Sequence, residues 1–164
     1  MEIQEKIHLL FNKNIEVVKT SADLPEIKEA VQMLMGALKS GNKIMVCGNG
    51  GSMEQAQHFA GELAGRFKLN RRPLAMIALG TNTDLLTAVA NDFDYSEIFA
   101  RELEAIGKEG DILAALSTSG NSPNVLCAVD RAKKLGIKTI GLTGASGKLK
   151  DMADISLSVP SFDT

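Results

Sequence analysis

The chain has 164 residues, enough for one ordinary domain and too few for two. Hydrophobic residues make up 45% of it and charged residues 23%, an average composition that excludes a disordered tail, a collagen-like chain and a disulfide scaffold. The net charge of -2 disfavours a protein that neutralises nucleic-acid phosphates, because such proteins are normally basic.

The N-terminal sequence favours neither secretion nor a membrane anchor. Acids and amides interrupt its first residues, MEIQEKIHLLFNKN, where a signal peptide needs a basic start and an unbroken apolar stretch. No apolar run approaches the ~18 residues of a membrane span, and Cys47 and Cys127 are too few for a secreted disulfide framework. We therefore expect a soluble, cytoplasmic protein whose partners include no nucleic acid and no membrane.

Residues 1–40 predict two amphipathic helices. A break at residues 21–23 separates them, Pro25 suits the first turn of the second helix, and Gly41 ends it. The first helix carries a largely apolar stripe at helical spacing, formed by Ile3, Ile7, Leu10, Phe11, Asn14, Ile15 and Val18.

Five short apolar runs follow, separated by helical patterns. The runs span 43–48, 74–79, 111–117, 138–144 and 154–160, and the helical patterns span 52–67, 83–107 in two pieces, 122–136 and 147–152. The first four runs are nearly continuous, as expected of parallel strands covered on both faces. Strands that alternate with helices predict a doubly wound α/β fold, a five-stranded parallel sheet over residues 41–164 in one domain with the helical pair. Because the sequence ends at Thr164 with no helix after the fifth strand, we expect part of the site to lie beyond it.

The segment CGNGGS, residues 47–52, joins the first predicted strand to a helix. Its three glycines allow a sharp turn whose backbone N–H groups point into one space, and the start of the helix adds a positive dipole end that favours an anion. The dinucleotide pattern GxGxxG fails at Met53 and the Walker pattern is absent, so a small phosphate monoester remains as the candidate anion. A plain tight turn with Ser52 as the helix N-cap is the alternative interpretation.

The segment STSGNS, residues 117–122, follows the third predicted strand and precedes a helix with Pro123 at its first position. It places four hydroxyls at the same carboxyl edge of the sheet as the glycine turn. Neither segment contains Lys or Arg, so a phosphate bound there would be held by hydroxyls and backbone amides. Taken alone the segment could be only a polar loop, but two such loops on adjacent strands favour a binding site.

His58 and Glu62 lie one turn apart on the predicted helix 52–67, about 160° from its apolar seam. That seam contains Met53, Ala56, Ala60, Leu63 and Phe67. An imidazole and a carboxylate at this spacing can share one divalent metal, although two ligands do not complete a zinc site. An ordinary solvent-facing pair is the alternative. Gly61 and Gly65 border the pair at a cost in helix stability, which predicts that this face is pressed against a second surface such as another subunit.

Five segments together resemble the sedoheptulose 7-phosphate (phosphoheptose) isomerases of the sugar isomerase, or SIS, domain superfamily. They are CGNGGS, AQHFAGELAGRF, TAVANDFDYSEIF, STSGNS and VPSFD, in this order along the chain. The two loops fit any member of the superfamily. The resemblance to the phosphoheptose isomerases in particular depends on four further residues, His58, Glu62, Asn91 and Asp92. The resemblance implies a flavodoxin-like SIS fold and an aldose–ketose isomerase that converts sedoheptulose 7-phosphate to D-glycero-D-manno-heptose 7-phosphate for heptose or lipopolysaccharide precursor biosynthesis.

The resemblance also implies a role for each matching residue. Substrate contacts would come from Asn49, Gly50, Gly51, Ser52, Asn91 and Asp92, with the phosphate held by Ser117, Thr118, Ser119 and Ser122. His58 and Glu62 would bind zinc, and Glu62 would also contact the substrate and carry the catalytic proton. Further zinc ligands, a Gln and a His, would follow VPSFDT. Members of the family are homotetramers with active sites between subunits, so the helical pair at 1–40 would serve oligomer packing.

The predicted isomerisation needs a base over the C1–C2 edge of the sugar and an electrophile for the enediolate. Glu62 is the predicted base, and a metal held by His58 and Glu62 is the predicted electrophile. Two other functions share the fold. A non-enzymatic relative, the DnaA initiator-associating protein, acts by protein contact, but its group lacks the acid at the position of Glu62 and has an arginine in the serine loop, where this chain has Ser119. A phosphosugar-sensing module would bind sedoheptulose 7-phosphate without converting it.

Overall fold

The computed structural model describes residues 2–161, and its elements follow the predicted order. The helices are α1 (Ile3–Ala22), α2 (Pro25–Lys39), α3 (Gly51–Ala64), α4 (Thr83–Asp92), α5 (Ile98–Ile106), α6 (Pro123–Lys134) and α7 (Lys148–Met152). The strands are β1 (Ile44–Cys47), β2 (Met76–Ala78), β3 (Ile112–Ser117), β4 (Lys138–Thr143) and β5 (Ile155–Ser158), and a 3₁₀ turn at Tyr95–Glu97 leads into α5. No helix among the described residues is long and apolar enough to cross a membrane.

The five strands form one parallel sheet in the order β2-β1-β3-β4-β5, which confirms the predicted doubly wound α/β fold. Ile44 of β1 pairs with Met76 of β2 on one side and with Ile112 of β3 on the other. After β1 the chain forms β2 on one side of that strand and then crosses to form β3 on the other side. In such sheets the point where the order reverses, here between β1 and β3, is where ligands bind.

Alternate residues of β1 face different layers of the fold. Met45 and Cys47 belong to the core shared with α4, α5, α6 and α7. Ile44 packs with α2, and Val46 packs with α3. Because successive side chains of β1 point to opposite faces and both faces are buried, every residue of the strand is apolar in the sequence.

The edge strand β2 departs from the prediction of a run covered on both faces. It spans Met76–Ala78 rather than 74–79, and the Ile77 side chain is 40% exposed. A strand with a neighbour on one side only is commonly short, since its outer backbone groups have no ladder partner.

The helix α1 lies outside the core, because none of its 20 residues is buried. Its predicted stripe is exposed along its length, with Ile3 81% and Phe11 67% accessible. Most helical stability in proteins comes from packing of an apolar face rather than from propensity. The stripe of α1 is therefore an apolar surface with no partner within the described part of its own chain.

The alternative in which Ser52 caps α3 is wrong. The helix begins at Gly51 and its N-cap is Gly50, with no side chain accepting a capping hydrogen bond. Gly50 has a φ of 52°, a left-handed conformation that glycine adopts without steric cost. Ser52 therefore lies inside the first turn of α3, with its side chain partly exposed.

The C-terminal end of α3 also differs from the prediction. The helix ends at Ala64, so Phe67 does not extend the apolar seam and is 63% exposed. The Arg71 guanidinium donates hydrogen bonds of 2.9 Å to the carbonyls of Glu62 and Leu63. These bonds satisfy two of the carbonyls that a helix end leaves without a partner, and they come from beyond the helix.

Part of the segment VPSFD lies outside the described residues, namely Phe162 and Asp163. The described residues also do not test the expectation that the site continues after Thr164. The first residues of the segment follow β5, where the Val159 N–H donates to the Thr143 carbonyl at 2.9 Å.

Candidate active site

The glycine turn and the serine loop meet at the carboxyl edge of the sheet, because β1 and β3 are neighbours. A cavity of about 220 Å³ opens there, lined by Ser52, Gln55, Leu116, Ser117, Thr118, Leu142, Thr143, Gly144, Val159 and Ser161. Three residues predicted to contact the substrate, Ser52, Ser117 and Thr118, therefore share one cavity. Asn49, Gly50, Gly51, Ser119 and Ser122 belong to the same two loops but are not among its lining residues.

The hydroxyls of the serine loop gather around Ser117, the last residue of β3. The Ser117 Oγ lies 2.9 Å from the Ser122 Oγ and 3.5 Å from the Ser119 Oγ. Pro123 occupies the first turn of α6 as predicted, so the loop ends at the positive end of a 12-residue helix. Clustered hydroxyls at the positive end of a helix suit a phosphate group without the help of a cationic side chain.

Gly120 is required by the close packing of this loop. Its φ is 64°, and a Cβ at this position would lie 2.6 Å from the Ser146 carbonyl oxygen and 2.7 Å from the Thr143 Oγ1. Thr143 ends β4 and Ser146 lies in the loop after it, so the serine loop is packed against the carboxyl end of the next strand. A side chain at residue 120 would force these segments apart.

Gln55 and Thr143 line the cavity although the sequence analysis does not single them out. Gln55 lies three residues after Ser52 on α3, a spacing that puts both side chains on one face of the helix. Thr143 ends β4, the neighbour of β3, at the same carboxyl edge. Helical spacing could have revealed Gln55, whereas Thr143 required the strand order.

His58 and Glu62 are adjacent on α3, as their spacing predicts, with His58 Nε2 and Glu62 Oε1 3.7 Å apart. The His58 side chain is 77% exposed and that of Glu62 33%. Both border an apolar groove of about 470 Å³ that lies between α2, α3 and one face of the sheet. The carboxylate thus lies partly sheltered beside apolar surface.

The pair fits two corners of a zinc coordination sphere. Zinc bonds of about 2.0–2.1 Å in a tetrahedron place neighbouring ligand atoms roughly 3.3 Å apart, close to the separation found here. No group of three His, Cys, Asp or Glu side chains suited to a metal occurs within residues 2–161. The described chain therefore offers two side chains of suitable chemistry, and a zinc ion bound there would need further donors from elsewhere.

Asn91 and Asp92 form the exposed last turn of α4. The Asn91 amide nitrogen donates to Asp92 Oδ1 at 2.8 Å, and neither residue lines the 220 Å³ cavity. Their contact with the sugar stays a prediction from the resemblance.

Neither cysteine has the environment of a nucleophile. Burial raises the pKa of the Cys47 thiol to about 12. Burial, together with a hydrogen bond to Glu97 and the charge of that carboxylate, raises the pKa of Cys127 to about 11. Because the thiolate is the reactive form, both groups are inert near neutral pH and act as small packed side chains.

Comparison with known proteins defines the class to which this fold and site belong. A family profile for the SIS domain matches residues 11–144. The chain belongs to the SIS-domain family.

Within that family the chain is similar to phosphoheptose isomerases. The phosphoheptose isomerase of Helicobacter pylori strain P12 is 49% identical over 99% of this chain and 86% of its own length. That of Aliarcobacter butzleri is 52% identical over 84% of this chain and 74% of its own. The structure of a phosphoheptose isomerase from Francisella tularensis superposes with a TM-score of 0.94 at 41% identity, covering 99% of this chain and 88% of the other. The resemblance noted in the sequence is thereby confirmed.

Proposed function

We propose that this chain converts sedoheptulose 7-phosphate to D-glycero-D-manno-heptose 7-phosphate through an enediol, as a step in heptose precursor biosynthesis. The observation that carries the proposal is the similarity to phosphoheptose isomerases, which extends over almost the whole chain at about half identity. The acidic Glu62 and the uncharged Ser119 also favour the enzyme over the non-enzymatic initiator-associating relatives.

The two loops at the switch point would bind the phosphate end of the substrate. Ser117, Thr118 and Ser52 face one cavity, and Ser119 and Ser122 lie within hydrogen-bond reach of Ser117. Hydroxyl and amide donors fix the position of a phosphate but bind it less tightly than a cluster of cationic side chains would. Such binding orients the sugar so that its other end reaches the catalytic groups.

Glu62 would move the proton between C1 and C2. Its carboxylate is partly sheltered beside an apolar groove, and the main chain at this position is held by Arg71. A general base needs a fixed position within hydrogen-bond reach of the proton that it removes. Asn91 and Asp92 would hold sugar hydroxyls between the two ends.

His58 and Glu62 would hold a zinc ion, with further ligands from elsewhere. When bound, such an ion supplies a Lewis acid that stabilises the negative charge of an enediolate. In that arrangement His58 has a holding role, and proton transfer rests on Glu62 and a second acid or base.

The direct test is incubation of the full-length protein with sedoheptulose 7-phosphate, with and without a chelator, followed by NMR detection of the aldoheptose anomeric proton. We expect aldoheptose to form and its rate to fall at least tenfold after zinc removal, a loss that added zinc restores. Binding of the sugar phosphate without any aldoheptose would instead support the sensing module. Chelator-insensitive turnover would remove the metal from the mechanism.

We also infer that the chain assembles with copies of itself into a tetramer. The support is the exposed apolar stripe of α1, whose 20 residues include no buried one. The cytoplasmic location stays a prediction from the sequence.

A further inference from the structure

A reciprocal pair of amides joins the two loops of the candidate site. Asn124, the second residue of α6, is 1% exposed, and the sequence pattern does not single it out. Its amide nitrogen donates to Asn49 Oδ1 at 2.8 Å, and the Asn49 amide nitrogen donates to Asn124 Oδ1 at the same distance. The partners are 75 residues apart in the sequence, one in the glycine turn and one directly after the serine loop.

Further donors complete the pair. The Tyr95 hydroxyl, from the 3₁₀ turn before α5, donates to Asn49 Oδ1 at 3.3 Å, so both lone pairs of that oxygen have partners. The Val125 N–H donates to Asn124 Oδ1 at 3.0 Å. Asn49 Oδ1 is therefore engaged in a link between three segments.

This link matters because the β1–β3 ladder reaches only to the first residues of the two loops. β1 ends at Cys47 and β3 ends at Ser117, so no strand pairing fixes the distance between the segments that follow. Within residues 2–161 the Asn49–Asn124 pair is the one side-chain hydrogen-bonded link between the glycine turn and residues 117–124. A buried amide that loses its partner keeps an unsatisfied polar group, so the pair strongly favours one spacing.

We propose that Asn124 is a positioning residue, which acts through Asn49 to hold the glycine turn and the serine loop at the spacing that one phosphosugar requires. The inference rests on the proposed function for its catalytic consequence. The mechanical consequence, ordering of both loops, does not depend on any substrate.

The first test is Asn124→Leu, which keeps the approximate shape of the side chain and removes both amide hydrogen bonds. Donors that hold the phosphate act on substrate and transition state alike, so their displacement raises KM more than it lowers kcat. We expect KM for sedoheptulose 7-phosphate to rise at least threefold. A smaller rise in the folded variant overturns the proposal.

The matched control is Thr139→Val, at the amino end of β4. Thr139 is fully buried and its hydroxyl donates to Asp154 Oδ2 at 2.7 Å, far along the strand from the cavity residue Thr143. This change also removes two hydrogen bonds of a buried side chain, one donated to Asp154 Oδ2 and one accepted from the Asp154 N–H, but at the opposite edge of the sheet. We expect a loss of thermal stability with KM unchanged, which separates positioning from general destabilisation.

A substrate-free test is amide hydrogen exchange by mass spectrometry on the same variants. In Asn124→Leu we expect peptides covering 48–53 and 117–122 to exchange at least threefold faster, with both unchanged in Thr139→Val. If the protein proves inactive but the exchange pattern holds, the proposed reaction fails and the positioning role stands. Unchanged exchange in either peptide would overturn the positioning role, whatever the activity.

Should Asn124→Leu fail to fold, Asn124→Asp keeps the shape of the side chain and removes the donation from its amide nitrogen to Asn49 Oδ1. We expect faster exchange in the peptides covering 48–53 and 117–122, and unchanged exchange in either peptide would overturn the positioning role.

Discussion

Glu62 combines two structural constraints that suit a catalytic base. Its backbone carbonyl accepts a hydrogen bond from Arg71, and its carboxylate lies 3.7 Å from the His58 ring, beside apolar surface. The Arg71 hydrogen bond fixes the backbone of Glu62, and the His58 ring lies next to its carboxylate. A fixed carboxylate suits a general base, because a proton is transferred only over a short, defined distance.

Replacement of Glu62 by Gln preserves the size of the side chain and removes its ability to take a proton. We expect kcat with sedoheptulose 7-phosphate to fall at least 100-fold, within the usual range for a lost acid or base. Steady-state kinetics measure the change. Glu54→Gln makes the same substitution at an exposed position in the first turn of the same helix and should leave kcat unchanged. Near-normal turnover in Glu62→Gln would exclude Glu62 from the chemistry.

At the scale of whole elements, β3 is anchored at the edge of the sheet opposite the site. Asp111, just before β3, is buried and accepts hydrogen bonds from the backbone N–H and the Nζ of Lys43, at 3.0 and 2.5 Å, and from the Lys108 N–H at 2.9 Å. Burial opposes ionisation of this carboxyl, but these hydrogen bonds and the Lys43 charge outweigh it, so the net pKa lies below its ordinary value. Asp111 therefore joins the starts of β1 and β3 most strongly when ionised.

The lowered pKa of Asp111 determines how its contribution to stability depends on pH. A carboxyl with a lower pKa in the folded state stabilises the protein above its unfolded pKa of about 3.9, and this stabilisation is lost as the pH falls through the folded pKa. We expect Asp111→Asn to lower the free energy of unfolding by about 1–3 kcal/mol at pH 7. The difference from the parent protein should shrink as the pH falls below about 4.

Urea unfolding at several pH values measures this dependence. Asp84→Asn serves as a control, because Asp84 is exposed in the first turn of α4. A deficit in Asp111→Asn that stays constant from pH 7 into the acid range would contradict the role assigned to its charge.

At the scale of the whole molecule, the exposed stripe of α1 is the clearest sign of assembly. Leu10 and Phe11 are 58% and 67% exposed in the middle of the helix. Large apolar side chains repeated along one face of a helix are normally buried against another surface. A second copy of the chain is the partner that the tetramer proposal requires.

Replacement of Phe11 by Asp places a charge in the middle of the stripe. We expect light scattering after size exclusion to show a smaller species, approaching the 17.5 kDa of one chain, because a charge is costly to bury in an apolar interface. Asn12→Asp adds the same charge outside the stripe and should leave the assembly intact. An unchanged mass in Phe11→Asp would place the interface elsewhere.

Local patterns were sufficient for much of this protein. Continuous apolar runs identified β1, β3 and β4, since strands covered on both faces need no polar residues. Pro25 and Pro123 marked helix starts correctly, because the ring suits the first turn and its missing N–H costs nothing there. The spacing of His58 and Glu62 gave their adjacency, since a helix turn is a fixed distance.

By itself the sequence determined the order of helices and strands, the two donor loops and the family, because each of these is recorded in neighbouring residues. Tertiary structure alone decided how the two loops are joined, since Asn124 meets Asn49 only when β1 and β3 lie side by side. Periodicity reports how a segment folds on itself. A hydrogen bond between distant residues depends on which strands become neighbours, which no local pattern contains.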